Sequence, residues 1–163
     1  MSRRNFIKTT GLAGAAFSVM PSYAYDSLVT KKAKIGFIGL GNRGRSHIRR
    51  LLRRDDIEIP AICDIDPGAV QQALAMIKDQ GYPKPEVYSD GEYAFENLLQ
   101  RDDIEGVIIS TPWLWHTVMS VASMKAGKYA GVEVSAANTL EECWDLVNTY
   151  EETGVPVTIL ENV

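Results

Sequence analysis

The sequence has few residues that build metal sites or disulfide frameworks, with two cysteines and two histidines among its 163 residues. Cys63 and Cys143 are too few for a disulfide scaffold, and their spacing matches no zinc site, so we expect no bound metal. The one sustained apolar stretch, residues 9–20, is shorter than the roughly 20 residues that span a bilayer, so we expect no stable membrane span. With 45% apolar and 23% charged residues, the composition also excludes a disordered, collagenous or coiled-coil chain.

Positive charge is also scarce, because 17 basic residues face 21 acidic ones and the net charge is −4. Residues 1–24 hold three of the basic residues and none of the acidic ones, which leaves 14 against 21, a net charge of −7, in the remainder. A general nucleic-acid binder needs a basic surface. We therefore expect no nucleic-acid partner.

The amino-terminal residues resemble a twin-arginine export signal. Arg3 and Arg4 precede a hydrophobic residue and a lysine, and the apolar stretch follows. Small residues at Ser22 and Ala24 fit signal-peptidase cleavage after Ala24. We predict a signal peptide over residues 1–24, a linker over 25–33, export through the twin-arginine machinery, and a periplasmic or secreted protein. A cytosolic helix is the alternative, although glycines and a proline make it a poor one. Twin-arginine export carries folded chains, which suits a protein that takes up a cofactor first.

After this segment, apolar β-prone runs alternate with stretches typical of helices. The predicted strands are residues 35–40, 57–62, 106–109, 129–134 and 157–160, with a weaker one at 87–88. The predicted helices are residues 44–53, 67–79, 92–99, 117–126 and 140–153. Near-continuous apolar strands favour a parallel sheet covered by helices on both faces. The pattern predicts one doubly wound α/β domain of six strands over residues 34–163.

A glycine motif, Gly39-Leu40-Gly41-Asn42-Arg43-Gly44, follows the first predicted strand and opens the first helix. Gly39 permits a tight turn, Gly41 lets the backbone approach a pyrophosphate, and Gly44 permits close packing of helix on strand. The helix amino terminus offers N–H groups to the phosphates. Arg43 can reach the pyrophosphate or the adenine face. The motif predicts a dinucleotide site in a Rossmann fold.

Asp64 stands twenty residues after Gly44, at the end of the second predicted strand. A carboxylate there can accept hydrogen bonds from the ribose hydroxyls and repels a 2′-phosphate. The predicted cofactor is therefore NAD rather than NADP.

A second candidate loop, residues 110–116, follows the fourth predicted strand at the edge of the sheet where such folds bind ligands. Pro112 stops the strand, and Trp113 and Trp115 can flank a nicotinamide or a sugar. Alternatively, one tryptophan packs under the next helix and His116 is a capped surface histidine.

The order of the glycine motif, Asp64, Thr111 with its following proline, His116, and Glu133 resembles that of the Gfo/Idh/MocA oxidoreductases, two-domain nicotinamide enzymes that often act on sugars. Their usual motif at the fifth strand is Glu-Lys-Pro, whose lysine transfers a proton. Here Glu133 is followed by Val134 and a serine. Valine cannot transfer a proton, which argues against a sugar dehydrogenase built on that lysine.

Four blocks, residues 113–116, 133–135, 139–144 and 160–163, together resemble glycoside hydrolase family 109, which comprises NAD-dependent α-N-acetylgalactosaminidases that are commonly exported. The resemblance implies that NAD contacts fall on Asn42, Arg43, Asp64, Trp113, Leu114, Trp115, His116, Glu133, Val134 and Asn162. Leu114 replaces a more usual glutamate, which removes any polar contact of that side chain but none of its backbone.

The resemblance further implies that a sugar held in a second domain is transiently oxidised at C3 by bound NAD, loses its C2 proton, expels the C1 substituent, adds water and is reduced again. No catalytic residue is expected within these 163 residues, and the substrate, a small molecule or glycan, would be bound by a carboxyl-terminal α/β domain that this chain lacks. We therefore expect the isolated chain to bind NAD without hydrolysing a glycoside. The alternatives are a sugar oxidoreductase of the same superfamily and a truncated, non-catalytic NAD-binding module; a homo-oligomer is compatible with each.

Overall fold

The computed structural model describes residues 31–161. The predicted signal peptide, its cleavage site and the predicted cofactor contact Asn162 lie outside this range.

The described chain contains seven strands and five α-helices, which alternate except where the second and third strands follow each other directly. The strands are β1 (Ala33–Ile38), β2 (Ile57–Glu58), β3 (Ala61–Cys63), β4 (Glu86–Tyr88), β5 (Gly106–Ile109), β6 (Tyr129–Glu133) and β7 (Val157–Leu160). The helices are α1 (Asn42–Leu51), α2 (Pro67–Asp79), α3 (Ala94–Leu99), α4 (His116–Lys125) and α5 (Leu140–Thr153). A short 3₁₀ helix, Trp113–Trp115, leads into α4.

The sheet is parallel, with strand order β4-β3-β1-β5-β6-β7, and β2 pairs with the start of β1. The chain runs from β1 outward to β4, then returns to lay β5 on the other side of β1. The strand order therefore reverses between β1 and β5, and ligands bind beyond the carboxyl ends of strands at such a point. The predicted doubly wound Rossmann fold is confirmed.

The strand predicted over residues 57–62 is two strands instead of one. Ile57 lies beside Ala33, whereas Ile62 lies beside Phe37, so the pairing shifts by one residue across the interruption that contains Pro60. Proline has no N–H to give to a ladder, which confines it to edges and irregularities of a sheet. The carbonyl oxygen of Pro60 accepts a 2.9 Å hydrogen bond from the Glu86 N–H instead.

Helices α2 and α5 begin and end as predicted because their ends carry local signals. Asp66 caps α2 by accepting a hydrogen bond from the Gly68 N–H. Thr139 and Glu142 form a capping box at the start of α5, and Gly154, at φ 70°, ends it. The other helices shift by one or two residues; α1, for example, starts directly after the glycine turn.

Two buried clusters lie on opposite faces of the sheet. Neighbouring side chains on a strand point to opposite faces, and accordingly Phe37 belongs to the cluster that contains Ile48 of α1, while Ile38 belongs to the one that contains Phe95 of α3. Each such fully buried side chain contributes about 1.5–3 kcal/mol through the hydrophobic effect. This packing fixes the helices that carry the site loops. Among residues 31–161, no helix is both long and apolar enough to cross a bilayer.

Candidate cofactor site

A cavity of about 460 Å³ lies at the carboxyl ends of β1, β3 and β5, where the strand order reverses. That volume is within the range of small-molecule and cofactor pockets. Predicted residues in its wall are Gly39, Gly41, Asn42, Arg43, Asp64 and Trp115. The predicted residues that are not in its wall are Gly44, Trp113, Leu114, His116, Glu133 and Val134.

The three glycines have different local environments. Gly39 adopts φ 91°, and a Cβ on it would lie 2.6 Å from the Ser110 carbonyl carbon. A Cβ on Gly44 would lie 2.0 Å from the Gly39 carbonyl oxygen, so α1 packs against the turn itself. A Cβ on Gly41 would have nothing within 4 Å. The turn and the packing therefore require glycine at the outer positions, while open space at Gly41 admits a ligand.

The amino terminus of α1 is suited to an anion. Gly41 occupies the cap position and no side chain caps the helix, so its first N–H groups stand at the cavity without a capping oxygen. Such groups, together with the helix dipole, favour a phosphate. The residues present therefore fit the pyrophosphate of a dinucleotide.

Arg45 stabilises this loop, a role that sequence analysis did not assign to it. Its Nη1 donates to the Leu40 carbonyl oxygen at 2.6 Å, and its Nη2 donates to Asn42 Oδ1 at 2.7 Å. The second bond engages the side-chain oxygen of Asn42, a residue of the cavity wall. Spacing of three residues on a helix could have indicated this pair.

Asp64 connects the end of β3 to the glycine turn. Its Oδ2 accepts a 2.6 Å hydrogen bond from the Leu40 N–H, and its Oδ1 accepts a 2.9 Å bond from the Asp66 N–H. An ionised carboxylate has about four lone-pair sites, so each oxygen retains capacity for a ribose hydroxyl. The carboxylate is thus held in place at the cavity wall, where the ribose contact is predicted.

Glu133, at the end of β6, joins two residues of α1. Its Oε1 accepts a hydrogen bond from Arg43 Nε at 2.7 Å and lies 2.5 Å from His47 Nε2. Burial alone would raise the pKa of Glu133, but these hydrogen bonds and the nearby charges outweigh burial and lower it. Glu133 is therefore held ionised behind the cavity wall. Its predicted direct contact with the cofactor stays a prediction.

His116 is 1% exposed, so the alternative of a surface histidine is wrong. Its Nδ1 lies 2.8 Å from the Ser135 carbonyl oxygen, and its Nε2 lies 2.8 Å from that of Thr111. The ring thereby links the loops that follow β5 and β6. The side chain does not line the cavity, and its contact with NAD remains a prediction.

The two tryptophans of the second loop differ in environment. Trp115 lines the cavity and packs edge-on against Tyr93 and Phe95, with ring centroids 5.5 and 6.2 Å apart. Trp113 and Leu114 are 64% and 79% exposed and line a separate shallow depression with Asn138. The Asn138 side-chain amide donates to the Trp113 carbonyl oxygen at 3.1 Å. Of these two tryptophans, only Trp115 lines the main cavity.

Several wall residues were not assigned to the site from the sequence. They are Ile65, Asp66 and Ala69 after β3, Gly91 and Glu92 after β4, and Met119 on α4. Their position after parallel strands was the available signal, since those loops share one edge of the sheet. Cys63 also lines the wall; burial, and then the charge of Asp64, raises its pKa to about 12. Its thiol is therefore not a nucleophile at neutral pH.

The geometry defines an NAD-binding Rossmann domain, and comparison with known proteins agrees. The sequence profile described as "Oxidoreductase family, NAD-binding Rossmann fold" matches residues 33–160. The chain belongs to this family, the Gfo/Idh/MocA oxidoreductases. The prediction of NAD as the cofactor is confirmed by that match.

Relatives named as an α-N-acetylgalactosaminidase or as a glycosyl hydrolase family 109 protein are similar over nearly the whole chain. An "Alpha-N-acetylgalactosaminidase" from Tannerella forsythia is 51% identical over 181 aligned positions, which cover 99% of this chain and 39% of the relative. A "Glycosyl hydrolase family 109 protein" from Shewanella pealeana is 40% identical and is covered to 40% by the whole chain. The chain thus spans about two fifths of the length of these relatives.

Solved structures show the same fold. The scyllo-inositol dehydrogenase of Lactobacillus casei, solved with NAD(H) and scyllo-inositol, matches with a TM-score of 0.67 at 23% identity, over 79% of this chain and 36% of that one. At this identity, the likeness concerns the fold alone.

Proposed function

We propose that this chain is the NAD-binding part of an exported glycosidase that removes terminal α-N-acetylgalactosamine from glycans or small glycosides. The names of the similar proteins support this substrate class. The observation that carries the proposal is the chemistry of the side chains at the ends of β5 and β6, where the family's oxidoreductases keep a proton-transferring lysine.

In this chain, no titratable side chain of the described residues at those two strand ends lines the cavity. Val134 occupies the position of the lysine and cannot transfer a proton. Both ring nitrogens of His116 face backbone carbonyl oxygens. Glu133 is buried against Arg43 and His47. The domain is therefore equipped to hold a cofactor rather than to deprotonate a sugar hydroxyl.

When bound, NAD would supply a reversible oxidation of the sugar, which makes a proton on the adjacent carbon acidic enough to be removed. The residues of this chain would bind the cofactor and orient it. The glycine turn and the α1 amino terminus would bind the pyrophosphate, and Arg43 would add positive charge there. The Asp64 carboxylate would accept hydrogen bonds from the ribose. The Asp64 and Arg45 hydrogen bonds keep the turn in one conformation, which favours tight retention.

We further propose that the base, the group beside the leaving oxygen and the acetamido-sugar pocket belong to the larger, unmatched part that such relatives have in addition to this domain. In this reaction the NADH formed by oxidation of the sugar returns its hydride to the same sugar, so no net NADH is made. That feature separates the proposal from a sugar oxidoreductase.

The test uses the full-length protein with a chromogenic α-N-acetylgalactosaminide in deuterated water. We expect release of the chromophore, no accumulation of NADH, and deuterium at C2 of the released sugar. Accumulation of NADH with a free sugar would replace the proposal with a sugar oxidoreductase. Tight NAD binding without either reaction would indicate a non-catalytic module.

We also propose export through the twin-arginine machinery, supported by Arg3 and Arg4 ahead of the apolar stretch. Replacing both arginines with lysine should leave the protein in the cytoplasm, measured by cell fractionation. A periplasmic or secreted double variant would contradict this.

A further inference from the structure

His47 and Arg43 stand four residues apart on α1, so their side chains leave the same face of the helix. Both reach one oxygen atom, Oε1 of Glu133, at 2.5 and 2.7 Å respectively. Glu133 ends β6, which lies two strands from β1 in the sheet. These two contacts therefore connect α1, the helix after β1, with β6. Only Arg43 of the three lines the cavity.

The three side chains form a series from the interior to the cavity. The side chains of Glu133 and His47 are 7% and 11% exposed, whereas that of Arg43 is 44% exposed. The Arg43 Nε donates its hydrogen bond to Glu133. Within residues 31–161, the terminal nitrogens Nη1 and Nη2 of Arg43 have no acceptor. Those terminal nitrogens are the ones available to an anion beside the glycine turn.

We propose that His47 is a positioning residue for the cofactor: it fixes the Glu133 carboxylate, and that carboxylate in turn fixes the Arg43 guanidinium against the pyrophosphate of NAD. The inference rests on the NAD site and on the predicted Arg43 contact. It is independent of whether the full-length protein is a glycosidase.

The physical reason is the flexibility of arginine. An arginine side chain has many rotamers, and ordering it when the ligand binds reduces affinity. A charge-assisted hydrogen bond to Glu133 orders it beforehand. Glu133 itself has rotatable bonds, and the Nε2–H of His47 restricts them. This requires only the tautomer with hydrogen on Nε2, which a neutral imidazole provides.

The competing explanation is that His47 merely fills space between α1 and the sheet. Two substitutions separate these roles. His47→Leu fills the space with an apolar side chain that has no donor, whereas His47→Gln provides an N–H near the place of Nε2. A matched control is Arg49→Gln, because Arg49 is exposed on the same helix and contacts neither the cavity nor Glu133.

The experiment measures dissociation constants of NAD and adenosine by calorimetry on full-length protein stripped of nucleotide. We expect His47→Leu to raise the dissociation constant of NAD by about tenfold, which is the size of effect expected for one charge-assisted contact. Adenosine, which has no phosphate, should bind as in the wild type. His47→Gln should recover most of the NAD affinity, and Arg49→Gln should change the affinity for neither ligand.

A double-mutant cycle with Arg43→Ala then tests the route of the effect. If His47 acts through Arg43, His47→Leu has no further effect on NAD once Arg43 is removed. An undiminished loss in that background, an equal loss of adenosine affinity, failure of His47→Gln to recover NAD affinity, or no effect of Arg43→Ala alone would each overturn the inference. A failed glycosidase proposal would appear instead as absent turnover with these binding results intact.

Discussion

The position that a Cβ atom would occupy on Gly44 lies 2.0 Å from the carbonyl oxygen of Gly39. Helix α1 therefore rests on the turn that precedes it, and the amino terminus of the helix reaches the cavity. This approach requires glycine at position 44, while the positive φ and the nearby Ser110 backbone require glycine at position 39.

Substitution of Gly44 by alanine should destabilise the protein, because the new methyl group meets backbone rather than a movable side chain. We expect a loss of about 3 kcal/mol in the free energy of unfolding, measured by denaturant titration. Gly41→Ala is the control: with nothing within 4 Å, it should change stability by less than about 0.5 kcal/mol and yet weaken NAD binding. Equal stability of the two variants would contradict this packing.

Asp64→Asn should relax the choice of cofactor. Asparagine retains an oxygen for the Leu40 N–H but removes the negative charge that repels a 2′-phosphate. We expect the preference for NAD over NADP, measured as a ratio of dissociation constants, to fall by about tenfold or more. Asp79→Asn, an exposed change at the end of α2, should leave the ratio unchanged. An unchanged ratio in Asp64→Asn would show that this carboxylate does not select the cofactor.

The two cysteines should differ in reactivity. Cys63 is buried with its pKa raised to about 12, whereas Cys143 is exposed. An aromatic disulfide reagent at mildly alkaline pH should label one thiol quickly in the native protein and the second only after unfolding. Cys143→Ser should abolish the fast phase. Fast labelling that survives in Cys143→Ser would contradict the buried position of Cys63.

Glu133 should make stability depend on pH on the acid side. Its pKa is lowered in the folded protein, so the unfolded chain binds more protons between the folded and unfolded values. The contribution is complete above the ordinary glutamate value of about 4.3 and is lost as the pH falls through the lower folded value. Midpoints of thermal unfolding across this range should therefore fall less steeply with acidification in Glu133→Gln. Parallel curves for the two proteins would contradict the ion pair with Arg43.

Much of the fold is predictable because its signals are local. Asp66 before a proline, the capping box at Thr139 and the glycine at 154 set helix ends within a few residues of sequence. Pro60 carried a signal of the same kind, and treating residues 57–62 as one strand overlooked its missing N–H.

The site was less predictable because its contacts join distant parts of the chain. The glycine turn and Asp64 follow strands directly, and so their place at the cavity could be inferred. Nothing in the sequence shows that Arg43 and Glu133, 90 residues apart, share a hydrogen bond, or that His116 turns away from the cavity toward two carbonyl oxygens. Side-chain direction at those positions depends on tertiary packing, which pattern and spacing do not encode.

The most direct test of the account is the nucleotide content of the purified protein. After gel filtration, the protein is denatured in acid and the released nucleotide is identified and counted by chromatography. The account predicts close to one NAD per chain, or stoichiometric uptake of NAD by stripped protein. In Asp64→Ala, it predicts a large loss of bound NAD. Folded protein that neither contains nor takes up NAD, with no difference between the wild type and Asp64→Ala, would contradict it.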